Sequence, residues 1–224
     1  MSIKTPEEKT FTPALGYSFL TPLYDSAIAA LTRESLWRGK MIEQLNPAPH
    51  ERILDVGCGT GSLVTQIKSL SLLTQVIGLD PDPEVLEVAK NKANRKNLEI
   101  DWKEGFLSAE RVSEIGPVCK IVSSLVFHQT PLDEKRRMLK QMFSVLKTDG
   151  ELCIADYGLQ RTKLMRLFFK ATVQQLDGFR DTQPNADGVL PGLIEEAGFS
   201  QVEELEVIPT ITGSISIYTG RKIV

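Results

Sequence analysis

The stretch richest in chemistry is Ile53-Leu54-Asp55-Val56-Gly57-Cys58-Gly59-Thr60-Gly61. Glycine at alternate positions removes side chains where a ligand must lie against backbone, and it permits a tight turn from a strand into a helix. The amide groups that open the next helix favour a carboxylate or another anionic group. The spacing is GxGxG, whereas a dinucleotide loop reads GxGxxG and delivers a pyrophosphate to its helix. The shorter spacing favours a nucleoside without phosphates. The ribose of such a ligand calls for a hydrogen-bond acceptor pair at the end of the following strand, and Asp80 closes Val76-Ile77-Gly78-Leu79 there.

Of the two histidines, His50 sits in a proline-flanked turn, and His128 follows the apolar segment Val122-Ser123-Ser124-Leu125-Val126-Phe127. An imidazole titrating near neutrality suits removal of a proton from an acceptor. The alternative is a histidine that caps a helix or shapes the cofactor pocket, because alignment and desolvation alone can carry a group transfer. Asp156 and Tyr157, at the end of Ile154-Ala155-Asp156-Tyr157-Gly158, either face the pocket or support the chain locally. Tyr17, Tyr24 and Trp37 lie ahead of the glycine loop, where rings can face a cationic ligand or simply pack, and Tyr24 is the preferred ligand contact. Cys58, Cys119 and Cys153 are widely spaced without a CxxC pair, so no metal site is expected and a reducing, cytoplasmic compartment fits.

The elements that must position these groups alternate regularly. ERILDVG reads as a strand, SLVTQIKSL as a helix, TQVIGLD as a strand and PEVLEVAKNKANRK as a helix. NLEIDWKEG, CKIVSSLVF and ELCIADYG supply three further strands, with DEKRRMLKQMFSVLKTDG as an amphipathic helix before the last. Such βαβ alternation specifies a parallel sheet covered on both faces. RTKLMRLFFKATVQQL reads as one amphipathic helix with Leu164, Phe168 and Ala171 on its apolar face. LPGLIEEAGF reads as a short helix ended by Gly198, and QVEELEVI with GSISIYTGRK as an antiparallel edge hairpin. The expected fold is therefore α/β: a Rossmann-like doubly wound sheet, mostly parallel with an antiparallel edge hairpin, plus N-terminal helices. It forms a single domain over 1–224, with an arm and helices over the active site in 1–45, the cofactor core in 50–160, and a substrate-side helix and last strands in 161–224.

The motifs LDVGCGTG, GLDPDPEVLEVAK, SSLVFHQ and LKTDGELCIADYG, in that order, resemble the class I S-adenosylmethionine-dependent methyltransferases. The resemblance implies S-adenosylmethionine as cofactor and methylation of a small molecule by in-line displacement. It implies that Asp55, Gly57, Cys58, Gly59 and Gly61 line the methionine moiety and that Asp80 holds the ribose. Pro81, Gly105, Phe106 and Ser123 are implied around the rest of the cofactor, with Phe106 standing where many relatives carry an aspartate for adenine. LYDSAIAALTRESLWR near the start, with EEAGFSQV and TGSISIYTGRK near the end, is similar to the ubiquinone/menaquinone C-methyltransferase (UbiE-like) group, which methylates ring carbons of prenylated quinol precursors. The tyrosine-rich stretch of that group is missing from DGFRDTQPNADG, which leaves other apolar metabolites open as acceptors.

A net charge of −3 and a sequence isoelectric point near 5.6 lack the positive field that recruits phosphates, so no nucleic-acid partner is expected. No window approaches the roughly 18 apolar residues that span a bilayer, and MSIKTPEEKTF carries no apolar leader. Three other classes are weighed: a dinucleotide-dependent oxidoreductase, a methyltransferase of protein or RNA, and a non-catalytic S-adenosylmethionine-binding module. The loop spacing opposes the first. The acidic balance, and SSLVF where an Asn/Asp-Pro-Pro-Tyr signature would stand, oppose the second. The intact loop with Asp80 opposes the third.

Overall fold

A computed structural model describes residues 32–223. Seven strands form one sheet in the order β3-β2-β1-β4-β5-β7-β6: β1 is Arg52–Val56, β2 Gln75–Asp80, β3 Asp101–Glu104, β4 Val118–Ser124, β5 Leu146–Tyr157, β6 Ser200–Thr210 and β7 Gly213–Arg221. The first five are parallel to one another, with Asp55 beside Gly78 on one side and Val122 on the other. β7 runs antiparallel to β5 and pairs with β6 as the edge hairpin.

Alternation along β1 divides the core into two layers. Ile53 joins Trp37, Met41, Leu63 and Ile67 on one face, and Leu54 joins Ile77, Leu139, Met142 and Ile194 on the other. Helices cover both faces: α1 Glu34–Leu45, α2 Ser62–Leu70, α3 Pro83–Arg95, α4 Ala109–Ile115 and α5 Leu132–Val145, then α6 Lys163–Ala171, α7 Val173–Asp177, α8 Phe179–Ala186 and α9 Leu190–Glu196. A parallel strand buried on both faces is largely apolar on both, as Ile53, Leu54 and Val56 are in β1, and the buried Asp55 is the exception. The start of α3 is set locally: Pro83 occupies the first turn, and the Asp82 carboxylate accepts from the amides of Glu84 and Val85 at 2.9 and 3.3 Å.

Three sequence readings change. The helix expected over 161–176 breaks at Thr172, whose backbone leaves the helical region (φ −118°, ψ −80°) while its hydroxyl bonds the Phe168 carbonyl at 2.7 Å. Its expected apolar face is not the buried one: Leu164 is 58% exposed and Phe168 39%, whereas Phe169 packs inside. Finally, α4 and α8 form from AERVSEI and FRDTQPNA, which carry too few apolar residues to announce a helix. Tertiary contact supplies what periodicity lacks, with Ile115 of α4 and Ala186 of α8 buried in the core layers.

Candidate active site

The glycine loop leaves β1 with all three glycines in the left-handed region, at φ 76°, 52° and 70° for Gly57, Gly59 and Gly61. The amides of Gly57 and Cys58 both donate to the Leu79 carbonyl, at 2.8 and 3.1 Å, which pins the loop across the end of β2. The three glycines serve different needs. A Cβ on Gly57 would overlap Val126, and one on Gly61 would come within 2.7 Å of Trp102 and 2.8 Å of Ala89, so these two let neighbouring elements close in. A Cβ on Gly59 would meet nothing within 4 Å, so this residue presents bare backbone.

Asp80 ties the loop to the second strand. Its Oδ2 accepts from the Gly59 amide at 2.8 Å and its Oδ1 from the Asp82 amide at 3.0 Å. Burial pushes the carboxyl above its ordinary range, against the pull of those two donors. Each oxygen keeps a further lone-pair direction for a ligand hydroxyl. The Gly105 amide donates to the Asp80 carbonyl at 2.9 Å, which brings the end of β3 alongside. Phe106, next in the chain, is 57% exposed, and Pro81 is half-buried.

Asp55 is fully buried, yet neither of its side-chain oxygens has a hydrogen-bond partner in the protein. Burial raises its carboxyl to about 7, which the Arg38 guanidinium opposes and Asp80 reinforces. Arg38 comes from α1, where it pairs with Glu34 and lies over the Trp37 ring at 5.1 Å. Arg38 Nε and Trp37 Nε1 are likewise buried without partners. Unpaired buried polar atoms are costly and point to a ligand group. A carboxylate calls for a cation and a guanidinium for an anion, so this set fits the zwitterionic end of an amino acid. Reading the sequence singled out Trp37 for its ring and passed over Arg38, whose only signal is to follow Trp37 on a helix leading into the loop.

His128 sits in the 3-10 turn Phe127–Gln129 just beyond β4, and Leu125 ahead of it takes an uncommon positive φ of 56°. Asp156, fully buried at the end of β5, accepts from the amides of Phe127 (2.7 Å), His128 (3.2 Å) and Tyr157 (2.7 Å), so it caps this turn. It also faces His128 Nδ1 at 2.9 Å, while Asp177 Oδ2 faces Nε2 at 3.4 Å. Burial alone would lower the imidazole's pKa, but charge and hydrogen bonding from Asp156 and Asp177 outweigh it and hold it at about 9. Nδ1 and Nε2 thus each face a carboxylate, an arrangement that favours the imidazolium and fits the pocket-shaping alternative. Tyr157 stacks edge-on to His128 at 5.0 Å, with its hydroxyl 2.7 Å from Thr212 Oγ1.

The structure thus gathers Asp55, Gly57, Gly59, Gly61, Asp80 and Gly105 around the carboxyl ends of β1 to β3, with His128 beyond β4. Two expected contacts change. The Ser123 hydroxyl is fully buried and donates to the Val56 carbonyl at 2.7 Å, so it braces β4 against β1. The Cys58 thiol is turned toward Gly78 in the sheet, where burial pushes its pKa up, leaving only its backbone to line the loop. Tyr24 and Tyr17 lie outside the described residues. Among those residues, no group of three His, Cys, Asp or Glu side chains is placed to hold a metal ion, and no helix is long and apolar enough to cross a membrane.

Comparison with known proteins agrees with this geometry. Residues 53–150 match the model of a methyltransferase domain family. The chain is 25% identical over 239 residues to a ubiquinone/menaquinone biosynthesis C-methyltransferase of Zymomonas mobilis, covering 98% of this chain and 96% of that protein. It is also 25% identical over 209 residues to a demethylmenaquinone methyltransferase of Thermus thermophilus, covering 88% and 90%. Among solved structures, the magnesium protoporphyrin IX methyltransferase of Synechocystis, with bound S-adenosylhomocysteine, shares the fold at a TM-score of 0.68 and 17% identity, covering 92% of this chain and 90% of that one. An O-methyltransferase family protein of Burkholderia thailandensis does so at 0.68 and 17%, though this chain spans only 59% of its length. Sequence motifs, sheet order, loop geometry and relatives converge: residues 53–150 match a methyltransferase domain, and over nearly its whole length the chain is similar to S-adenosylmethionine-dependent methyltransferases.

Proposed function

We propose that this enzyme transfers the methyl group to a ring carbon of an apolar, quinol-like small molecule, with the acceptor lying over the carboxyl ends of β4 and β5. The observation that carries the placement of the cofactor, and with it the direction of transfer, is the buried Asp55 carboxylate without a partner beside the bare backbone of Gly59. In this reading Asp55 takes the ammonium of the methionine end, Arg38 its carboxylate and Asp80 the two ribose hydroxyls. The exposed ring of Phe106, beyond Gly105, offers a stacking face for adenine. The likeness to quinone C-methyltransferases over nearly the whole chain supports the acceptor class.

When bound, S-adenosylmethionine supplies an electrophilic methyl group on a sulfonium. The protein's own residues mainly position. The loop would hold the sulfonium end near β1 and β4, and holding two partners in line in a dry crevice can supply on the order of 7 kcal/mol or more in favourable cases. His128, held as a cation, would support the crevice wall, and the ring-carbon proton replaced by the methyl group would leave to solvent. The arm expected over the active site in 1–45 lies, apart from 32–45 with α1, outside the described residues.

Labelled methyl transfer tests the reading directly. Purified enzyme should pass label from S-adenosylmethionine into a prenylated hydroquinone, and the product should carry it on ring carbon. Label found only on oxygen, or only in protein or RNA, would refute the acceptor assignment.

A further inference from the structure

Three side chains hold the α7–α8 segment to the sheet through polar contacts. Asp177 of α7 faces His128 Nε2 at 3.4 Å. Asn185 of α8 donates to the Tyr157 carbonyl at 3.0 Å and reaches Asp156 Oδ1 at 3.5 Å. Lys135 of α5 is buried and donates to the carbonyls of Phe127, Thr130 and Asp181, the last at 2.9 Å. The segment has little strength of its own. α7 is five residues long, α8 has Pro184 inside it, and Gly178 joins them at φ 84°. Val173 and Ala186 anchor its two ends in the core, but between them Leu176 and Phe179 are 58% and 60% exposed, so polar contacts hold the joint.

We propose that Asp177 is a positioning residue that, through the protonated ring of His128, fastens α7 and α8 over the carboxyl ends of β4 and β5, and that loss of the ring proton releases them. This rests on the acceptor placement above. Nδ1 is held by Asp156, which is fixed by three backbone amides, so the β5 side of the pair stays put. The more exposed partner is Asp177, whose side chain is 15% exposed against 8% for His128. The charged groups around the ring are Asp156 from β5 and Asp177 from α7, with Lys135 from α5 and Asp181 from α8 in the same charge network. Desolvation brings Lys135 down to about 8 against the pull of Asp156 and Asp181, but a neutral amine still donates, so its contacts weaken rather than vanish.

The test is hydrogen exchange and side-chain NMR on the full chain. In Asp177→Asn, peptides within 173–186 should exchange on the order of tenfold to a hundredfold faster, as expected for loss of a charge-assisted contact. Peptides covering 53–61 and 75–82 should not change, and S-adenosylhomocysteine should bind within about twofold of wild type. In a His50→Gln background His128 gives the single imidazole signal. Its midpoint should lie well above that of a free histidine, fall in Asp177→Asn and recover in Asp177→Glu. Unchanged exchange in 173–186, or a His128 midpoint indifferent to Asp177, overturns the proposal. If Asp177→Asn does not fold, the wild type decides: protection of 173–186 must drop as the His128 signal titrates, and constant protection overturns it. Failure of S-adenosylhomocysteine to bind would instead count against the cofactor reading and leave the exchange result to stand on its own.

Discussion

Replacing Asp55 with asparagine should make the ligand-free protein more stable at pH 8 while weakening its cofactor binding. The carboxyl moves from 3.8 to about 7 because it is buried without a hydrogen-bond partner. At 1.36 kcal/mol per pH unit, that corresponds to about 4 kcal/mol of penalty on holding the charged form in the fold. The sign follows from proton binding. The native state holds the proton more tightly than the unfolded chain, so stability is greatest below about pH 4 and declines as pH rises toward 7. Asparagine keeps the shape and removes the charge, but it leaves an unpaired buried amide at a cost of about 1–3 kcal/mol. The net gain at pH 8 is then about 1–3 kcal/mol, shrinking to nothing or reversing at pH 4. Chemical denaturation of both proteins at pH 4 and 8 reads this difference, and calorimetry with S-adenosylhomocysteine should show at least a tenfold loss of affinity, as when one charge-assisted bond is removed. A variant less stable than wild type at pH 8, or a difference independent of pH, would refute the reasoning.

The remaining expectations concern single groups. Gly59→Ala should fold with a penalty of about 1–2 kcal/mol for the left-handed backbone, yet bind S-adenosylhomocysteine poorly by calorimetry. Gly57→Ala should in addition lose thermal stability through overlap with Val126. Arg38→Gln should weaken S-adenosylhomocysteine on the order of tenfold while affecting adenosine little, because only the former carries the carboxylate. In alkylation followed by mass spectrometry, Cys119 should label before Cys58 and Cys153, since burial raises the latter two thiols and hides them.

Much of the architecture was legible in the residues because burial on both sheet faces leaves strands rich in apolar residues, such as Ile53, Leu54 and Val56 of β1, and because Asp82 with Pro83 marks a helix start. The loop was legible for a related reason: Gly57 and Gly61 are demanded by close packing and Gly59 by its backbone angle. Asp80 followed from its place at the end of β2. What could not be read depended on contacts across the fold. Nothing local shows that Ser123 spends its hydroxyl on Val56 or that Cys58 turns into the sheet. Arg38 acquires meaning only when α1 packs beside Asp55. For His128 the residues left both a base and a pocket-shaping role open, and Asp177, which faces its outer nitrogen, lies far along the chain just past the stretch read as a helix, where nothing local announces the contact. The face that α6 buries is set by packing against the rest of the fold, where Phe169 rather than Leu164 or Phe168 goes inside.

The most direct test of the central claim is calorimetric titration of S-adenosylhomocysteine into the wild type and into Asp80→Ala, at pH 8 and moderate salt. The seat formed by Gly57 to Gly61 and the carboxylate at 80 predicts one site per chain in the wild type and a loss on the order of a hundredfold in the variant, as two charge-assisted bonds disappear. No heat from the wild type, or equal affinity in both, would contradict it.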